Sequence, residues 1–356
     1  MCVSDAREMK DLEALRRAAD AISQSILTAS PIGILHTLNE GLEQMRVLAV
    51  EICKTIDRSS RPEFESFKEN MHSAYAIIAD TLKPKRFTAE QLYEIPLAVY
   101  RRMLVTTQEC ANLTGYPFDK GFEYANLSVS EIGLGNYEAS FSHLELAKAE
   151  DDRIGHETGV AKFNLENVVF GNAYVWAAHM TTQFSIQQVR AMCKEKLDWT
   201  EKCRFAKAMW KFQSRIADHR SSLNNEDLER NLVNICKTVE AYLKRMHPLP
   251  TSPQKQTLRK LVEYAFSSHG WWKDWTGFVK SNDLDYADPK VDDAKLASIL
   301  SDESRSRETN MFLALCLIRN FGTHAFNDES VLFHEREYGI AFSMLVEALM
   351  HVIANF

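Results

Sequence analysis

Apolar residues recur at three- and four-residue steps along most of the chain, and no stretch alternates apolar and polar residues for the length of a strand. Leu12, Leu15, Ala19, Ile22 and Ile26 place one face on a helix over 7–29. Ser30-Pro31 ends it, because the residue before a proline avoids the helical region. Leu38, Leu42, Met45, Leu48 and Ile52 mark a second helix over 35–56, and 63–82 reads as a third after the connector Arg58 to Pro62. Lys83-Pro84-Lys85 is a turn, and Thr88 is placed to cap the helix that follows. The expectation is an all-α protein.

The pattern changes between 118 and 180. Leu134-Gly135-Asn136-Tyr137-Glu138-Ala139, followed by Leu144, Ala147 and Ala149, resembles the turn-and-helix core of tetratricopeptide (TPR) repeats. A fainter echo lies 36 residues on, at Gly171-Asn172-Ala173-Tyr174. A repeat array or an ordinary pair of antiparallel helices accounts for this equally. Residues 185–246 read as helical and basic. His247-Pro248-Leu249-Pro250-Thr251-Ser252-Pro253 then interrupts the helices, since proline cannot continue one. This predicts a helical, repeat-like domain over 1–246, a linker over 247–257 and a helical bundle over 258–356.

In the last hundred residues a helix over 257–280 carries Trp271, Trp275 and Phe278 on one face, an acidic connector spans 282–293, and a short helix lies near 294–300. Ser301 to Ser304 supply capping residues for a helix from Arg305. Met311 to Ile318 is apolar without a break, so this helix is expected at the centre of the bundle. Asn327 to Ser330 makes a turn, and a closing amphipathic helix begins near His334.

Composition narrows the class. The 356 residues are 45% hydrophobic, with only 9 prolines and 13 glycines, which favours helices over a turn-rich β architecture. No apolar run approaches the roughly 18 residues of a membrane span, and the charged N-terminus lacks a signal core. The 7 cysteines include no Cys-x-x-Cys pair, so neither a disulfide framework nor a zinc site is indicated, and a cytoplasmic location is expected. The net charge of −7 hides an asymmetry: 183–260 carries 16 Lys/Arg against 8 Asp/Glu, between two acidic flanks. There Arg190, Lys207, Lys211 and Arg215 are interleaved with Trp199, Phe205, Trp210 and Phe212, the combination that single-stranded nucleic-acid grooves use. The same pattern also suits an amphipathic helix with an aromatic core face.

The candidate chemistry lies where the apolar run stops, at Ile318-Arg319-Asn320-Phe321-Gly322-Thr323-His324. Asn320 and His324 are four residues apart and share a helix face. Histidine moves protons near neutral pH, and arginine stays charged and grips phosphate with its planar fork. No phosphate-binding glycine loop, zinc-protease pair or serine elbow occurs in the chain. Arg319-Asn320-x-x-x-His324, with a long closing helix after it, resembles the signature of HEPN-domain ribonucleases. Gly322 inside it is a departure, because glycine weakens a helix by about 1 kcal/mol relative to alanine. The resemblance implies a metal-independent, cofactor-free endoribonuclease. In it Arg319, Asn320 and His324 are catalytic, and two copies pair through the C-terminal domain to complete the site. It also implies a toxin or antiviral effector, with a protein regulator acting on the N-terminal domain. The competing expectation is a non-catalytic helical adaptor for a protein partner, using the C-terminal bundle only to dimerise.

Overall fold

The computed structural model describes residues 3–30, 33–81, 91–155, 165–181, 183–217, 225–249, 257–267, 301–324 and 335–356. These residues form thirteen α-helices and one short π-helical turn, with no strand among them. The all-α expectation holds. The predicted turn at 83–85, the Thr88 cap, the Trp271/Trp275/Phe278 stripe, the connector at 282–293, the short helix near 294–300 and the turn at 327–330 lie outside the described residues.

The chain divides into two compact units, residues 1–169 and 170–356. The first contains α1 (Val3–Thr28), α2 (Ile34–Thr55), α3 (Arg61–Asp80), α4 (Gln91–Thr114), α5 (Gly121–Gly133) and α6 (Tyr137–Ile154), then the π-helical turn Leu165–Val169. The stripes read from the sequence are its core: Leu15, Ile22, Leu38, Leu42 and Met45 are buried with Phe64, Phe67, Met71, Tyr75 and Met103. Full burial of each such side chain is worth about 1.5–3 kcal/mol. Helices α1 and α2 approach closely at Gly41, where a Cβ atom would meet Ile22 Cγ1 at 2.8 Å. Helices α5 and α6 form a hairpin. Gly135 turns it with φ of 78°, and Ser128 and Ser140 let the backbones close in, their hydroxyls 2.9 Å apart. The echo at Gly171 to Tyr174 lies inside a helix rather than at a turn, so the two segments are not structurally equivalent.

The second unit contains α7 (Phe170–Met180), α8 (Ile186–Lys196), α9 (Trp199–Ala217), α10 (Asn225–Met246), α11 (Leu258–Phe266), α12 (Arg307–His324) and α13 (Glu335–Asn355). Helix α12 is central, as its all-round apolar character requires: Met311 through Ile318 are all buried. Its start is capped by Ser306, whose hydroxyl accepts the Thr309 amide at 3.2 Å, rather than by Ser301 to Ser304. Helix α13 packs against α10, α12, α7 and α8. By length and composition Tyr338–Asn355 could cross a membrane, and most of it is buried inside this unit.

The boundary between compact units therefore does not fall at the proline-containing stretch. Helix α10 before it and α11 after it both belong to the second unit and pack on each other. The rings confirm the packing: His247 sits edge-on to Phe356 at 4.2 Å, and Phe266 meets Phe312 at 4.9 Å and Phe356 at 5.1 Å. Proline stops a helix, but the chain on either side still has apolar faces to bury against α12 and α13.

Candidate functional site

Helix α12 runs unbroken through Gly322 to His324, so Arg319, Asn320 and His324 occupy its last turn and a half. The side chains of residues 320–324 lie outside the described residues. On a helix Asn320 and His324 are about 40° apart, and Arg319 precedes Asn320 by about 100°.

Arg319 is placed by α10. Its Nε–H donates to Glu240 Oε2 at 2.7 Å, while the Lys244 ammonium, one turn further along α10, donates to Glu240 Oε1 at 2.6 Å. One turn earlier, the Cys236 thiol donates to the Leu315 carbonyl at 3.6 Å. Cys236 to Leu315 and Glu240 to Arg319 have the same separation along the chain, 79 residues. The two helices therefore run parallel, side by side, and carry Glu240 to the motif. Burial alone would raise the Glu240 carboxyl, but the hydrogen bonds from Lys244 and Arg319 outweigh it and hold the group below the ordinary carboxylate value. Glu240 is thus an anion between two cations. Burial pushes the Cys236 thiol well up, which leaves it a packing residue.

The basic segment divides by role. Arg190 on α8 is exposed, and Lys207 and Lys211 on α9 are half-buried, one turn apart. Arg215 is in the last turn of α9, with its side chain outside the described residues. Neighbouring cations are used for capping. Lys196 donates to the Ile353 carbonyl at 2.8 Å, Lys202 to Lys194 at 2.7 Å and Arg245 to Lys196 at 2.6 Å, each at the C-terminal end of a helix. The aromatic residues face inward. Phe205 and Phe212 are buried, Phe212 stacks on Phe342 at 4.2 Å, Trp210 meets Trp176 edge-on at 4.6 Å, and Trp199 meets Phe170 at 5.5 Å. Phe205 and Phe212 are core residues, so the basic-aromatic interleaving here is a cation face over an apolar one.

A second constellation, in the first unit, has no counterpart in the sequence reading. The Lys68 ammonium is buried against Glu123 and donates to Thr107 Oγ1 at 2.9 Å; Thr107 in turn donates to Glu123 Oε1 at 2.7 Å. His72 Nε2 lies 3.5 Å from Glu123 Oε2, and its ring stacks on Phe122 at 4.7 Å. Burial opposes ionisation of Glu123, but the Lys68 and His72 charges outweigh it and hold the carboxyl well below its usual range. Burial first, then the Lys68 charge, lowers the His72 pKa. Lys68 and His72 line a cavity of about 760 Å³, with Tyr116, Phe118 and Arg153 on other walls. Lys68 and Glu123 are 55 residues apart, so local spacing could not pair them. The only sequence signal was a lysine on the apolar face that carries Phe64, Phe67 and Met71.

Among the described residues, no group of three or more His, Cys, Asp or Glu side chains is placed to hold a metal ion. No family model, curated protein or solved structure matches the chain.

Proposed function

We propose that the chain is a metal-independent endoribonuclease that cuts RNA through Arg319, Asn320 and His324, in a composite site completed by a second copy. The observation that carries this reading is the seat of Arg319: a guanidinium at the rim of a buried apolar helix, held by Glu240 beside Lys244. A phosphate is the chemistry such a cluster recognises. Cleavage then needs a proton taken from the 2′-hydroxyl and one given to the leaving 5′-oxygen. His324 and its copy across a two-fold axis divide that work. The charge on Arg319 stabilises the pentacoordinate phosphate as it forms. The reading includes a homodimer through the C-terminal helices, a cytoplasmic toxin or antiviral role, and a protein regulator bound to the N-terminal helices.

The test is cleavage of a labelled RNA in EDTA by wild type, Arg319→Ala and His324→Ala, beside light scattering and thermal melts. The expected result is a dimer whose activity survives EDTA and leaves 2′,3′-cyclic phosphate ends. Each variant should lose about 100-fold or more in activity while its melting temperature stays near that of wild type. A second reading, a non-catalytic adaptor, draws on the same ion pair, because Glu240 already gives Arg319 a structural partner. It is favoured instead if His324→Ala cuts as well as wild type, or if both variants simply melt.

A further inference from the structure

We infer that the cavity in the first unit binds a planar, uncharged ligand of the guanine type, with its carbonyl oxygen on the Lys68 ammonium and its N–H edge on the Asp119 carboxylate. This site is separate from the Arg319 motif, and the inference does not depend on the ribonuclease reading.

One face of α3, the segment Tyr116 to Asp119 and the end of α6 line this cavity, whose volume of about 760 Å³ falls in the range of small-molecule sites. Lys68 is only 7% exposed and still lines it. An ammonium has three N–H bonds. Two are taken, by Glu123 Oε1 and Thr107 Oγ1, and the third meets no acceptor among the described residues. A buried donor left open is costly. The ion pair alone serves stability; it calls for neither the open N–H nor the cavity beside it.

Charge decides what the acceptor is. Glu123 already matches Lys68, so an anion on the third N–H would be a second negative charge on one buried cation. A neutral carbonyl oxygen completes the ammonium without that penalty. The arginines of the walls are matched too, Arg61 by Glu65 at 2.8 Å and Arg153 by Glu150 at 2.7 Å. Asp119 pairs with no cation among the described residues; its Oδ1 accepts the Gly121 amide at 2.7 Å, and Oδ2 is left. Burial lowers the Lys68 and His72 pKa values, and Asp119 is among the charges that oppose it, which places its carboxylate near both. Tyr116 and Phe118 give flat walls, with Tyr116 held by a stack on Phe64 at 4.8 Å and edge-on to Phe118 at 4.9 Å. A ring that stacks on such a wall, offers an acceptor to an ammonium and donors to a carboxylate has the guanine pattern, O6 beside N1–H and the 2-amino group. Adenine presents the reverse, an amino group beside an unprotonated ring nitrogen. An organic cation suits the carboxylate but sets a like charge against Lys68.

The test is titration calorimetry of the full chain with guanosine, inosine, adenosine and spermidine, beside hydrogen exchange to place the site. Guanosine should bind and slow exchange in peptides spanning 61–80 and 115–133. Inosine, which lacks the 2-amino group, should bind about 3- to 10-fold more weakly, and adenosine about 10-fold or more. Asp119→Asn keeps an oxygen for the Gly121 amide and should weaken guanosine about 10-fold or more while narrowing its lead over adenosine. Lys68→Met with Glu123→Leu removes the donor without stranding a charge and should weaken guanosine as well, with thermal melts reporting that the variant is folded. If it does not fold, Asp119→Asn decides alone. Adenosine bound as tightly as guanosine, wild-type guanosine affinity in Asp119→Asn, or no protection of these peptides at about 1 mM guanosine overturns the inference. Protection by spermidine and not by guanosine overturns it in favour of a cation site.

Discussion

Each unit of the chain holds one cluster built on a carboxylate, and the two differ in depth and in charge balance. In the first, Glu123 is fully buried; its Oε1 accepts from Lys68 and Thr107, and its Oε2 faces His72 Nε2 at 3.5 Å. One anion meets one lysine, with the His72 ring beside it. In the second, Glu240 sits between Arg319 and Lys244 nearer the surface. Every charge brought into an apolar interior must be matched there. At a helix end near solvent the match need not be complete. The first cluster is accordingly a demand on stability, and the second is a candidate for binding and catalysis.

The sharpest way to break that contrast is to remove each carboxylate. Glu123→Ala strands the Lys68 ammonium in the core and should cost the first unit about 3–5 kcal/mol, the penalty for an unpaired buried charge. Lys68→Met with Glu123→Leu, which removes both charges, should restore much of it. Glu240→Ala should cost the second unit about 1 kcal/mol or less, the range of an ion pair near solvent. All six tryptophans lie in residues 170–356, so fluorescence reports on the second unit. Hydrogen exchange in peptides spanning 61–80 and 121–133 reports on the first. Equal losses from the two alanine variants would erase the distinction.

Acid sharpens the contrast with a smaller effect. The Glu123 carboxyl is depressed in the folded state, so it adds stability above its ordinary pKa of about 4.3 and loses it as pH falls. His72 is depressed as well: the folded chain binds its proton more weakly, so the unfolded state gains below about pH 6.5. Both act in the same direction, and the first unit should weaken from about pH 6.5 downward. The measurement is the urea midpoint by far-UV circular dichroism between pH 7.5 and 5, in wild type and His72→Phe. The part of the decline above about pH 5.5 should shrink in the variant, leaving the share of His143 and His351, which burial also lowers. A wild-type midpoint that is flat across this range would count against the account of the buried cluster.

The sequence made local order legible and distant partnership illegible, for one physical reason. Helical faces repeat every 3.6 residues, so Leu38, Leu42 and Met45 reveal their burial within a few turns. Met311 to Ile318, apolar on every side, could only be interior. The partners of Lys68 and Arg319 are 55 and 79 residues away, and no spacing rule reaches that far. The prolines at 248, 250 and 253 were read as a domain linker because they bar a helix, yet compact units are set by which apolar faces meet, and here α10 and α11 meet across them. In the basic stretch the sequence offered cations and rings together. Only packing separates them, with the rings of Phe205 and Phe212 in the core and several cations on helix carbonyls.

That division supports the smallest of the expected effects. Lys196 and Lys202 terminate helices, so replacing them should lower stability more than RNA affinity. Lys207 and Lys211 lie one turn apart on α9 and are half-buried. Lys207→Glu with Lys211→Glu should weaken binding of a single-stranded 2′-O-methyl RNA several-fold. It should also flatten the salt dependence by about 1.4, two contacts at about 0.7 each. Cleavage chemistry at saturating RNA should not change, because this pair offers the reacting phosphate no proton donor. Lys202→Met is the matched control: its melting temperature should fall while its salt slope stays that of wild type. If the double variant keeps the wild-type slope, then α9 is not on the RNA path and its lysines solvate a helix whose aromatic face is already committed to the core. If Lys202→Met flattens the slope instead, the separation of capping from binding cations drawn here is wrong.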